Sequence, residues 1–432
     1  MSALTADARR DVEGRYSWYA LALLTAAQGC HALDRAIIGL VLEPVRLEFS
    51  LSDSQLGVLA GLSYGLAFAL AAVPMGMLVD RVNRKRLLAG ALAAWSLLTA
   101  VCGLTTSFLT LLLGRIAVGA AESAGPSAGM SLLADYFRPK QRATAVGIWY
   151  LSSALGIFGT YLVGGYVAAH YGWRAAFFVA GAPGLVLAFV ILATLKEPMR
   201  GRLDGDVPKQ PPCGPRQGLA YVLRSPQLLL CMAAITLMAV AQAATLTWLT
   251  SFLVRGHDFS LTSAGSATAV MMGVMAPAGS FVIALLVDRG NRKHGFSVRR
   301  VAIACLLTSV ISAVVGVVAL LSQSTVVLLV LLGVFTLLQG GHNGSANSLL
   351  VGLAGPHVRG FVLAILQVLT NLVGWGLGPL IVGVVSDRIG GPLALQWALL
   401  SVLIFHLLAG AHFLFLARAR PTAPTATVPE SI

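Results

Sequence analysis

Long apolar runs alternate along the chain with short breaks rich in charge, glycine or proline. The runs are too long to be buried strands, and most exceed the roughly 20 apolar residues needed for a transmembrane helix. Twelve such stretches are predicted, at about 17–43, 54–79, 86–105, 108–134, 142–169 and 174–195, then 227–254, 262–287, 299–321, 325–352, 358–385 and 392–417. The first is too long for a cleaved leader, and Asp34-Arg35 interrupts its second half. The pattern predicts an all-α membrane protein of twelve transmembrane helices, with a polar segment at 196–226 separating an N-terminal six-helix bundle (1–195) from a C-terminal one (227–420). Residues 421–432 read as a disordered tail.

Composition agrees: of 432 residues 57% are hydrophobic and 11% charged, against roughly 25% charged in soluble domains. A cytosolic enzyme is excluded. The net charge of +13 would suggest nucleic acid in a soluble chain, but here the placement of the charges matters more than their sum. Of the Lys and Arg residues, 24 fall in the termini and the even-to-odd connections, and four (Arg46, Arg174, Arg255, Arg388) fall in the others. That asymmetry predicts cytoplasmic termini, a multi-pass location in the plasma membrane (the inner membrane of a bacterium), and attraction of anionic lipid to the cytoplasmic face. No nucleic-acid partner is expected. The five cysteines are scattered and form no C-x-x-C pair, so no metal or disulfide framework is expected. No P-loop or H-E-x-x-H cluster occurs either, so neither ATP drive, nor a cofactor, nor enzymatic activity is expected.

The chain repeats itself. Gly76-Met-Leu-Val-Asp80-Arg81-Val-Asn83-Arg84-Lys85 closes the second run, and Ala284-Leu-Leu-Val-Asp288-Arg289-Gly-Asn291-Arg292-Lys293 closes the eighth. Matching starts, Phe49-Ser-Leu and Phe259-Ser-Leu, precede them. Two copies of six helices form a two-lobed transporter architecture.

The G-x-L-x-D-R-x-x-R-K signature resembles the loop signature of the major facilitator superfamily. Leu33-Asp34-Arg35, Leu51-Ser-Asp-Ser-Gln-Leu-Gly57 and Arg115-x-x-x-Gly119-x-x-Glu122 resemble its Spinster-like branch, with Ala121-Glu122-Ser123 where Gly-Glu-Ala is usual. That branch is associated with sphingolipid and lysophospholipid export. The fifth run has Gly156, Gly159, Gly164 and Gly165 but lacks the Gly-Pro pair of many drug exporters. The resemblance implies that Asp80 docks on the start of the eleventh helix when the cytoplasmic side closes, and that Asp135 holds Arg84. Gly76, Arg81 and Arg142 complete the gating set. Asp288 and Arg292 recur in the second half, where Arg359 is placed to match Arg142 and no acid matches Asp135.

Well inside the runs, away from their ends, only Asp34, Glu122, Arg35 and Arg115 are charged, a set that sums to zero. A charge at mid-membrane costs at least ~2.5 kcal/mol, so such groups pair or face a watery cavity. Asp34 and Arg115 lie at similar depths, roughly 13 and 10 Å from the outer ends of their helices, and Glu122 is ~10 Å deeper than Arg115 on the same face. They are therefore candidate proton-coupling residues around a wet chamber, with a static ion-pair network as the structural alternative. Gly119 leaves room beside them for water or another helix. His31 shares the face of Asp34, as a substrate or relay group or as a packing histidine. Gln339, His342 and Asn343 lie in a polar, glycine-rich part of the tenth run and either line a cavity or bond a neighbouring helix. Tyr150, Trp248, Asn371 and Trp375, with Trp149 and Gln242, occupy runs that line the cavity in the resembling fold, and are read either as cavity lining or as buried packing residues or interfacial anchors. The expected function is a monomeric, proton-coupled secondary transporter for a small amphipathic or anionic organic molecule. Organic-acid anion:proton symport and multidrug efflux are the alternatives.

Overall fold

A computed structural model of the protein describes residues 6–201, 203, 214–355 and 358–419. The proposed tail, residues 202 and 204–213 of the polar segment, and with them Cys213, lie outside these residues. The described chain is helical, without a strand. We number its helices α1 (Ala6–Phe49), α2 (Asp53–Arg81), α3 (Arg84–Cys102), α4 (Phe108–Tyr136, with a turn at Ser123), α5 (Pro139–Tyr171) and α6 (Trp173–Thr194). The short α7 (Pro215–Arg224) precedes α8 (Pro226–His257), α9 (Leu261–His294), α10 (Val298–Leu320), α11 (Thr325–Leu353), α12 (Arg359–Ile389) and α13 (Ala394–Arg418).

Among the described residues, eleven helices, α2 to α6 and α8 to α13, are long and apolar enough to cross a membrane. The remaining long helix, α1, has 44 residues, but Gln28, His31, Asp34 and Arg35 interrupt its apolar middle.

The helix starts follow local chemistry. Ser52 and Ser107 open α2 and α4 with capping boxes, and Asn83 accepts from Arg86 N at the start of α3. A single residue, Gly172 at φ 84°, turns α5 into α6. The second signature differs from the first. Asn83 caps the following helix directly, whereas α9 continues through Asp288–His294 and ends only at Gly295, φ 75°. The second loop carries extra residues, and Ser297 takes the capping role by accepting from Arg300 N at 3.4 Å. Arg300, rather than Arg292, then clamps the turn through Gly290 O and Gly295 O, both at 3.0 Å.

The described chain forms two compact units. One contains Met1–Pro208, Ala243–Val274 and Trp375–Leu399; the other contains Lys209–Gln242, Met275–Gly374 and Leu400–Ile432. The division crosses α9 and α12 at π-helical turns, Met271–Met275 and Thr370–Leu377. A third π turn, Val58–Leu62, lies in α2. In the second unit, α9 and α11 pack through glycines: a Cβ built on Gly279 would lie 1.7 Å from Leu337 O, and one on Gly340 1.9 Å from Ala276 O. Its apolar core includes Cys231, Met238, Cys305, Leu350 and Phe413.

Candidate functional site

All four charged residues expected at mid-helix lie in the first unit. Asp34, Arg115 and Glu122 are 0% exposed. Arg115, Gly119 and Glu122 share one face of α4, and Gly119 allows α2 against that face. A Cβ there would meet Tyr64 O at 2.8 Å, so the space is filled by a helix rather than water. Arg115 Nη1 donates to the Asp34 backbone carbonyl at 3.2 Å, which places the two at one level.

The four charges do not pair directly among the described residues. Glu122 is held instead by the hydroxyl of Tyr64, which donates to Oε2, with His31 Nε2 3.4 Å from the same oxygen. Tyr64 also carries Arg35 and Arg115 near its ring, their guanidinium carbons 5.1 and 5.3 Å from its centroid. Arg35 lies 4.0 Å over the ring of Trp375. Both carboxylate oxygens of Asp34 lack a hydrogen-bond partner, as do Arg35 Nη2, Arg115 Nε and Nη2, and Glu122 Oε1.

The expected wet chamber does not surround these groups. Trp95, Phe68 and Tyr64 are themselves buried and fill the space around the acids. Two small recesses in the same unit flank the cluster, each with room for about one water molecule. The first is lined by Leu24, Gln28, His31, Leu88, Trp95 and Trp149, among others. The second is lined by Arg35, Gly39, Ala60, Tyr64, Thr247 and Trp375, among others.

The two ends of this unit carry separate charge clusters. At the end where α1 begins, Lys196 N donates to the Tyr16 hydroxyl at 2.6 Å. There Arg84, 1% exposed, binds Asp135, Glu197 at 2.7 Å, Ser131 Oγ at 3.1 Å and Pro198 O at 2.8 Å. Glu197 also accepts from Lys85 N at 2.8 Å. Arg200 reaches Val79 O at 2.6 Å and lies 3.7 Å from Asp80, whose side chain is 81% exposed. Arg142 Nε donates to Ala134 O and Phe137 O. A Cβ on Gly76 would meet nothing within 4 Å, and Arg81 is exposed.

At the far end, Arg255 of α8 bonds Glu43 of α1 and both Asp53 oxygens at 2.8 and 2.9 Å. Asp387 of α12 accepts from Asp53 N and Ser54 N at 2.9 and 2.7 Å, and Ser386 Oγ donates to Asp53 at 2.6 Å. Small residues bring the helices this close, since a Cβ on Gly383 would lie 2.1 Å from Asp53 O.

The other sequence-selected residues scatter. Trp248 is fully buried, and its indole N–H donates to Pro379 O at 2.9 Å. Tyr150 is exposed and edge-on to Trp149. In the second unit Gln339 and His342 are buried, with Gln339 Nε2 3.3 Å from His406 Nε2 of α13. Asn343 is half-buried and accepts from Asn347 through its backbone carbonyl, and Asn371 donates to Gln367 O. Asp288 and Arg292 are exposed, with no ion pair among the described residues. Sequence reasoning missed Tyr64, Glu197, Arg200, Glu43, Asp53, Arg255, Asp387 and His406. The signal for Tyr64 was a phenol inside an apolar run, where its hydroxyl must find a partner.

The family profile described as Major Facilitator Superfamily matches residues 24–372. An "MFS-type efflux pump" of Mycolicibacterium smegmatis is 24% identical over 411 residues, covering 94% of each chain. "Protein spinster homolog 1" of Mus musculus is 27% identical over 413 residues, covering 88% of this chain and 77% of that one. The fold matches the crystal structure of a bacterial homolog to the human lysosomal transporter Spinster, in an inward-facing and unoccupied conformation. The TM-score is 0.82 at 23% identity, with 93% of this chain and 97% of that one covered.

Proposed function

This chain belongs to the Major Facilitator Superfamily, and from that premise we propose that it is a proton-coupled secondary transporter of a small amphipathic or anionic organic molecule. Twelve helices, α1 included, cross the membrane with both termini in the cytoplasm, as two six-helix lobes that work by alternating access. The carrying observation is the pair of fully buried carboxylates, Asp34 and Glu122, set among two arginines, a tyrosine and a histidine. Uncompensated ionised groups in such a place cost several kcal/mol each. Gain or loss of a proton at Asp34 or Glu122 therefore changes the energy of the packing around it, and that energy drives the change of state.

Arg35 is the group that meets the substrate. Its guanidinium lies against Trp375 and Tyr64 in the second recess, with Nη2 unpartnered. A carboxylate or phosphate head satisfies that donor, while the aromatic faces take the apolar part. The far-end clasp, Glu43–Arg255–Asp53 with Asp387, and the terminal-end latch, Arg84–Asp135–Glu197, are the two gates. With the termini in the cytoplasm, the clasp closes the outer side.

The efflux reading has one specific support, the similarity to the efflux pump of Mycolicibacterium smegmatis. The test begins with a thermal-shift screen of lysolipids, sphingoid bases, sugar acids and common drugs, with Arg35→Ala as control. A hit that is lost in that control is then added to proteoliposomes. Substrate-induced proton movement is expected in wild type and not in Asp34→Asn or Glu122→Gln. Transport without proton movement in wild type overturns the coupling.

A further inference from the structure

The coupling reading leaves open how a proton reaches a sealed Glu122, and His31 answers that. His31 Nε2 is buried, 3.4 Å from Glu122 Oε2. The residue nevertheless keeps 7% of its surface exposed and lines the first recess beside Gln28 and Trp95. That recess lies toward the end where α1 begins: Leu24, Ala27 and Gln28 precede His31 on α1, Leu88 is one turn from Arg84, and Gly129 is near Asp135. The ring is fixed edge-on by Phe68 and Trp95, at 6.2 and 6.3 Å between centroids. Trp95 is held in turn by its fit against Gly125, where a Cβ would come within 3.1 Å. The imidazole thus stands beside Glu122 and also borders a small, mostly apolar recess that Gln28 lines.

We propose that His31 is a proton relay between the recess at the terminal end and Glu122, a role that rests on Glu122 being a coupling site. A proton arriving from the recess binds Nδ1 of the neutral ring. The Nε2 proton then passes to Glu122 Oε2, leaving a neutral acid and a neutral ring protonated at Nδ1. The reverse sequence returns one proton to the recess and restores both groups, so charge and atoms balance. The charged groups that act on the ring are Arg35 on α1 and Glu122 on α4, with Phe68 of α2 and Trp95 of α3 packed against it. Glu122 Oε2 lies 3.4 Å from its Nε2. Imidazole suits the task because its ordinary pKa lies near neutrality and its two nitrogens face opposite ways.

The experiment is a stopped-flow pH jump on the full-length protein in nanodiscs. It follows the infrared carbonyl stretch of protonated Glu122, assigned by its loss in Glu122→Gln. In His31→Asn the band should reach the same end-point but form roughly tenfold or more slowly. In His31→Ala it should be slow and be restored by added imidazole, which a purely structural role would not produce. Equal rates in wild type and His31→Asn overturn the relay and leave Glu122 a proton site. Slowing in both variants without imidazole rescue also overturns it, making His31 a packing residue. Absence of the Glu122 band in wild type removes the coupling reading and the relay together.

Discussion

At the scale of single residues, the site shows what a buried charge does when it does not meet its expected partner. Glu122 is bonded by Tyr64 and approached by His31 rather than paired with an arginine. Tyr64→Phe removes the hydrogen bond that holds that carboxylate among the described residues. Bonds to charged groups contribute about 1.5–3 kcal/mol, so the variant should unfold several degrees earlier in a thermal scan at neutral pH. An unchanged scan would mean that the hydroxyl does not hold the acid. Gly119→Ala should be at least as damaging, because its Cβ meets the Tyr64 backbone rather than a side chain that could swing away. Outside the membrane segments, the Arg174 guanidinium and the Trp173 indole N–H, both 2.6 Å from Glu48, hold its carboxyl below the ordinary range. A lowered folded pKa gives stability that is present above the unfolded pKa of about 4.3 and is lost as pH falls through the folded value. Wild type and Glu48→Gln should therefore differ slightly in thermal stability at pH 7 and converge in acid.

At the scale of helices, the sequence carried a great deal. Apolar runs located the eleven long apolar helices because backbone satisfaction in lipid leaves little choice but helix, and the ends were marked by Ser and Asn caps. The level shared by Asp34 and Arg115 was legible from rise per residue alone. The partners of those charges were not, because Tyr64 reaches Glu122 through an interhelical packing that depends on Gly119 and follows a π turn in α2. The length of α9 was misread for a definable reason: its second signature copies the residues of the first but not the cap. Glu197 and Arg200 lay in a segment read as a linker, since nothing in a charged stretch says which charges fold back. The terminal-end cluster nonetheless separates two roles. Asp80 is largely exposed, so Asp80→Asn should leave thermal stability within about 0.5 kcal/mol of wild type while slowing transport, if it docks on α12 in the other state. Asp135→Asn should destabilise directly, because it deprives the buried Arg84 of a carboxylate partner. Equal effects of the two on stability would refute the distinction.

For the whole molecule, the proposed alternating access requires that closing one side and opening the other be states of similar energy, so each proposed gate must be strong enough to hold and weak enough to release. The far-end clasp is closed in this structure. Arg255 binds Glu43 and Asp53, and Asp387 caps the start of α2. Removing one member of a buried pair costs about 3–5 kcal/mol. Arg255 keeps 19% of its side chain exposed, so solvent screening reduces the loss to roughly 1–3 kcal/mol. At about 1.4 kcal/mol per tenfold, Arg255→Gln should raise the population open at the far end by roughly 5–140-fold. Ala60 lines the second recess on that side, and Ala60→Cys in a background without native cysteines gives the readout. Its modification by an impermeant thiol reagent from the outside should accelerate in Arg255→Gln. It should slow below wild type when Asp135→Asn loosens the opposite latch instead, and the two substitutions together should return it toward the wild-type rate. If both substitutions moved accessibility in the same direction, the clusters would be independent braces rather than opposed gates, and the alternating cycle would have to be driven from elsewhere.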